Sequence, residues 1–92
     1  MKHQYHFESL NVWRETTQTK GLIADIDRIV QILNSDIASE EEQAHVFERS
    51  KPEYPMLART LAARRDNLRA TIAALERRLA AVYRAQLDQV SA

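Results

Sequence analysis

The chain has 92 residues, 13 basic and 13 acidic side chains and a formal net charge of zero; it holds one Gly, two Pro and no Cys. This length allows one domain at most, and the lack of Cys removes a disulfide framework, a thiolate nucleophile and a Cys-based zinc site. A single Gly excludes Gly-rich phosphate loops and argues against a turn-rich β fold, while neutrality removes bulk attraction to nucleic acid or membrane as a first reading.

Apolar residues make up 45% of the chain, but 13 of them are Ala, which leaves 28 larger ones. That suffices for a helical seam and is lean for a layered domain. Small domains bury a modest share of their surface, so completion of the core by a second copy is expected.

Residues 1–19 carry mixed signals. Met1 to Leu10 are mostly polar and lack the apolar core of a signal peptide, which suggests a cytoplasmic protein. Tyr5 and Phe7 alternate with polar residues, as in a strand, whereas Phe7, Leu10, Trp13 and Thr17 have helical spacing. Thr16, Thr17 and Thr19 weaken a helix. The expectation is an extended arm, then a short helix entering the first long one. His3 and His6, with His45 elsewhere, offer imidazoles for a metal, but only Glu8 stands beside the pair. The reading is a solvated N-terminus, with no metal and no cofactor.

Residues 20–49 form the first helical arm. Gly21, Pro52 and Pro55 are the only helix breakers, so a long helix is allowed after Gly21. Steps of four, three and four link Leu22, Ile26, Ile29 and Leu33, with Ile23, Val30 and Ile37 on one flank and Ile32 on the other. This stripe is broad, as in a bundle helix with more than one neighbour. No run here is apolar enough to span a membrane. Ser39 followed by Glu42 has capping-box spacing, and Glu40, Glu41 and Glu42 suit a helix N-terminus. A break at 34–39 and a shorter helix to Arg49 are expected, the alternative being one helix straight through. Glu42 and His45 have Glu-x-x-His spacing, but a di-metal bundle needs two such motifs and further Glu.

Residues 50–54 read as a loop, because Pro52 and Pro55 push their predecessors out of the helical region. Residues 55–89 read as one helix, with Pro55 in its first turn. Ten of the 13 Ala lie in residues 56–92, and Leu61, Leu68, Ile72, Leu75, Leu79 and Val82 follow an a/d heptad. Arg65 occupies an a position, as a register-setting residue that snorkels or pairs with an acid across the interface. Asp66 can pair with Arg69 or Arg59.

The neutral total conceals a split. Residues 23–53 hold eight acids and three bases, a net −5, and residues 57–84 hold seven bases and two acids, a net +5. The structural reading packs the two segments antiparallel, with attracting flanks. The functional one gives nucleic acid to Arg64, Arg65, Arg69, Arg77 and Arg78. Only Tyr83 is aromatic in that helix, so no stacking platform for single strands exists. Trp13, Tyr5 and Phe7, with Tyr54 and Phe47, would cap one end of a bundle or form a sticky patch.

No Ser/His/Asp order, paired catalytic carboxylates or nucleotide loop emerges, so an enzyme is not expected. The expected fold is all-α: an antiparallel helical hairpin, or coiled coil, that dimerises into a four-helix bundle. The C-terminal helix is expected to outlast its partner and leave part of its seam uncovered. The function that follows is a non-catalytic interaction or assembly module. It acts through Leu61, Leu68, Ile72, Leu75, Leu79 and Val82 and the aromatic Tyr5, Phe7 and Trp13, on itself or another helical protein. Nucleic-acid binding and a small helical chaperone for an exported partner are the alternatives.

Overall fold

A computed structural model describes residues 2–91; for 2–9, 90 and 91 the description covers the backbone alone. The chain forms two α-helices, α1 (Lys2–Ala44) and α2 (Met56–Ser91), packed antiparallel as a hairpin. The molecule measures 65 × 19 × 13 Å with a radius of gyration of 20.0 Å. A compact domain of this length would have a radius near 12 Å.

Each helix buries one stripe. On α1, Val12, Thr16, Thr19, Ile23, Ile26, Val30, Leu33 and Ile37 recur at alternating steps of four and three and are buried or half-buried. On α2, Tyr54 (just ahead of the helix), Ala58, Leu61, Arg65, Leu68, Ile72, Leu75, Leu79 and Val82 do the same. These are a/d heptads, and they hold the seam in register over nearly the whole hairpin.

The α1 seam corrects the sequence reading. Leu22 and Ile29 lie outside it, and Ile23, Val30 and Ile37 lie in it. In a run with apolar residues at both spacings, the partner helix selects the phase.

The expected break at 34–39 does not form, because α1 runs through to Ala44. A capping box stabilises by about 1 kcal/mol, whereas burying Ile37 contributes about 1.5–3 kcal/mol. Ile37 packs with Tyr54, Ala58 and Ala62, which requires the helix to keep its phase past Ser39. The acidic run Glu40–Glu42 therefore belongs to the end of α1 and not to a new beginning. The expected arm over 1–19 is likewise part of α1, which is helical from Lys2, and Gly21 lies inside it. The Thr17 hydroxyl donates to the Trp13 carbonyl at 2.8 Å, so one of the three threonines satisfies itself along the helix.

α1 ends in a Schellman motif. The Val46 amide donates to the Glu41 carbonyl and the His45 amide to that of Glu42, both at 3.3 Å. His45 takes the left-handed conformation, φ 57°, where Gly is usual. Two successive turns follow. The Lys51 amide donates to the Glu48 carbonyl at 3.2 Å and the Tyr54 amide to the Lys51 carbonyl at 3.1 Å. Pro52 falls at the second position of the latter turn, where its fixed φ fits. The Arg59 amide bonds the Pro55 carbonyl at 3.1 Å and opens α2. The loop thus extends from His45 to Pro55, wider than residues 50–54.

Burial is greatest at the loop end, where Ala58 and Ala62 are almost fully enclosed with Ile37 and Tyr54. Small side chains let the helices approach closely, so Ala belongs to this core. Further along, the α2 seam residues Leu61, Leu68, Ile72, Leu75, Leu79 and Val82 are only half-buried.

Candidate functional site

Two helices side by side cover one stripe on each other and leave the flanks open. The flanks carry Leu22, Ile29 and Ile32 on one side of α1, and Leu10 and Trp13 elsewhere on that helix, all exposed. α2 adds Met56, Leu57 and Tyr83. In heptad terms Leu22 and Ile29 stand at g, beside the seam, and Ile32 stands next to them at c. An apolar a/d/g stripe is what a helix shows when it has two helical neighbours. The hairpin supplies one.

On this side the seam also opens into a groove of about 260 Å³, lined by Glu15, Thr16, Gln18, Thr19, Arg78, Leu79 and Val82. It exists because Thr16 and Thr19 replace large apolar residues in the α1 seam. Opposite them, Leu79 and Val82 stay half-exposed. The other side of the hairpin is more polar. There the Lys20 ammonium lies 5.5 Å from the Tyr83 ring centre, and Arg65 reaches Asn34.

Arg65 is tied down. Its guanidinium donates to the Asn34 amide oxygen at 3.1 Å across the helix pair, and twice to Asp66 Oδ1 at 3.2 and 3.1 Å. It does set a contact across the interface, but its acid is its neighbour on the same helix. Asp66 is thereby taken by Arg65 and, through its second oxygen at 3.8 Å, by Arg49. Arg59 and Arg69, the expected partners, are not its ion pairs. Arg59 instead stacks 5.4 Å from the Tyr54 ring centre and donates to the Lys51 carbonyl at 3.4 Å.

Among the described residues no ion pair joins α1 to α2. The acidic and basic segments lie antiparallel as expected, but their flanks attract without direct ion pairs among the described residues. Arg64, Arg69, Arg77 and Arg78 are exposed, with no carboxylate of the described residues within 4.0 Å.

The expected aromatic cap is not assembled. Tyr54 is buried at the loop end, Phe47 is exposed nearby, and Trp13 is exposed far along α1. From Trp13 to the end of α1 is about 46 Å. The side chains of Tyr5 and Phe7 lie outside those described, as do those of His3 and His6.

No protein-family model, curated protein or solved structure matches this chain. Its function is therefore argued from its own surface.

One contact escaped the sequence reading. The Tyr54 hydroxyl donates to Glu41 Oε2 at 2.8 Å and pins the loop to α1. Burial pushes the Tyr54 phenol above its ordinary value, the bond to Glu41 and that residue's charge push the same way, and Arg49 opposes them. Tyr54 stands one heptad step ahead of Ala58, so extending the α2 pattern backwards past Pro55 would have found it. The Glu-x-x-His motif is dissolved by the fold, because His45 lies beyond the end of the helix and both it and Glu42 are exposed. Among the described residues no three His, Cys, Asp or Glu side chains converge on a metal position, and no helix is long and apolar enough to cross a membrane.

The premise of a longer C-terminal helix is also corrected: α1 has 43 residues and α2 has 36. The seam is half-open because a two-helix layer cannot enclose it, and not because α2 projects beyond its partner.

Proposed function

We propose that the protein is a non-catalytic helical interaction module whose working form is a homodimer, a four-helix bundle built from two hairpins. One observation carries this reading: the exposed area. The chain presents 7431 Å² of accessible surface, where a compact monomer of its mass would present about 5,500 Å². The excess of about 1,900 Å² lies in the range that each subunit of an obligate homodimer buries. The half-buried seam Leu61, Leu68, Ile72, Leu75, Leu79 and Val82 and the exposed Leu22, Ile29 and Ile32 are the surface available for it. Sedimentation equilibrium at tens of micromolar is expected to return twice the 10.6 kDa chain mass. A monomer would contradict the homodimer and leave the same surface to a different helical protein.

The unpaired arginines favour a second reading, nucleic-acid binding through Arg64, Arg69, Arg77 and Arg78. Arg65 is withdrawn from it by its bonds to Asn34 and Asp66. Such binding would be measurable at low salt, fall steeply with added salt, and weaken in an Arg77→Ala/Arg78→Ala variant. Unchanged DNA and RNA mobility at low salt removes this reading.

A further inference from the structure

We infer that the second copy docks on the flank formed by Leu22, Ile29 and Ile32, with α1 of each hairpin lying against α2 of the other and both loops at the same end of the bundle. This rests on the homodimer reading and adds the face and the orientation.

The face follows from the heptad. Between Lys20 and Glu41, Leu22, Ile29 and Ile32 continue the α1 seam on one side only. The e positions of that stretch, Lys20, Asp27, Asn34 and Glu41, are polar, and three of them, Lys20, Asn34 and Glu41, are engaged with α2 or its leading residue Tyr54. On the same side of α2 stand Thr71, Ala74, Ala81 and Ala85, small side chains that allow another helix to come close, beside Arg64 and Arg78. The groove at Thr16 and Thr19 opens on this side too, leaving Leu79 and Val82 reachable.

The orientation follows from charge. Two antiparallel bundles can be made by stacking these hairpins. Loops at opposite ends set α1 on α1 and α2 on α2, so the segment of net +5, which spans most of α2, meets itself, while the acidic segment at the loop end of α1 lies over the N-terminal half of the other α1. Loops at the same end set α1 on the partner's α2, acid on base, and every neighbouring pair of helices stays antiparallel. The hairpin leaves these charges without cross-helix ion pairs among the described residues, so they are available to the second copy. Like charges facing each other along α2 disfavour the first arrangement, whatever the small worth of each single pair.

Two measurements test this. In sedimentation, Ile29→Glu and Ile32→Glu are each expected to weaken dimerisation ~100-fold or more, since a two-fold interface counts each change twice. Met56→Glu, on the outer face, is expected to leave it unchanged. Ile32 is 56% exposed in the hairpin, so its variant keeps the helical circular dichroism of the starting chain and reports association alone. The chain has no Cys, so Ser50→Cys carries a single spin label in the loop. Same-end loops put two labels within about 30 Å, a few interhelix spacings. Opposite ends put them near the 65 Å length of the hairpin. A dimer indifferent to Ile29→Glu and Ile32→Glu overturns the face while the homodimer stands. A separation near 60 Å overturns the orientation, and a monomeric starting protein overturns both this inference and the homodimer beneath it.

Discussion

Tyr54 shows how one side chain organises the turn. Its ring fills the core with Ile37, Ala58 and Ala62, Arg59 stacks on it, and its hydroxyl holds Glu41. The fold keeps the phenol neutral and raises its pKa above the ordinary tyrosine value of about 10. The unfolded chain ionises near 10, so this contribution is complete below that pH and is lost as pH rises through the higher folded value. Urea titrations between pH 8 and 12 are therefore expected to show stability falling above about pH 10. Tyr54→Phe is expected to cost about 1 kcal/mol at pH 7 from the lost bond and to remove Tyr54's share of the alkaline loss. An unaltered alkaline profile in that variant would count against the assignment. His45 offers a second residue-scale test. A non-Gly residue at φ 57° carries a steric cost that Gly avoids, partly offset by the greater entropy Gly loses on folding. His45→Gly is expected to stabilise the hairpin by about 0.5–1 kcal/mol in thermal melts, and a lower midpoint would refute the strained cap.

At the scale of the element, α1 is a helix whose local signals disagree with its tertiary role. Gly21, three threonines and a capping box all argue for interruption, yet the seam runs through them. Gly21 sits on the outer face, where an added Cβ meets nothing within 4 Å. Gly21→Ala is thus expected to stabilise by about 0.5–1 kcal/mol through helix propensity alone. For a chain of this size that raises the melting midpoint by about 3–6 °C. No change, or a fall, would mean that α1 is not continuous at this point. α2 is the more consistent element, since its Ala, Leu, Arg and Gln favour the helix that its heptad also requires. The one polar residue in its seam from Ala58 to Val82, Arg65, is accommodated by Asn34 and Asp66.

At the scale of the molecule, the hairpin is long and thin. Among the described residues, the buried apolar ones are confined to the seam from Ile26 to Ile37 on α1 and to Tyr54, Ala58 and Ala62 at the start of α2. A single layer of two helices has no second layer to close its flanks. Surface excess, half-open seam and one-sided apolar flank are consequences of that shape. Stability coupled to association would follow, and thermal midpoints measured over a hundredfold range of protein concentration are expected to rise with concentration. A concentration-independent midpoint would indicate a hairpin that folds alone.

The two helices, the Pro-bounded loop and the α2 heptad were legible in the sequence because helix propensity, spacing and breakers act locally. The phase of α1 was not, since Leu22–Ile29 and Ile23–Val30 satisfy the same period and only α2 distinguishes them. The continuity past Ser39 was hidden for a related reason: a capping signal can be read from four residues, while the burial that outweighs it lies across the loop in Tyr54, Ala58 and Ala62. Ala was discounted by size, yet closeness of approach is a property of two surfaces together. Sequence alone thus determined that the chain is an all-α antiparallel hairpin. Tertiary structure decided which stripe α1 buries and which flank it leaves open, because burial is shared between elements and belongs to neither one.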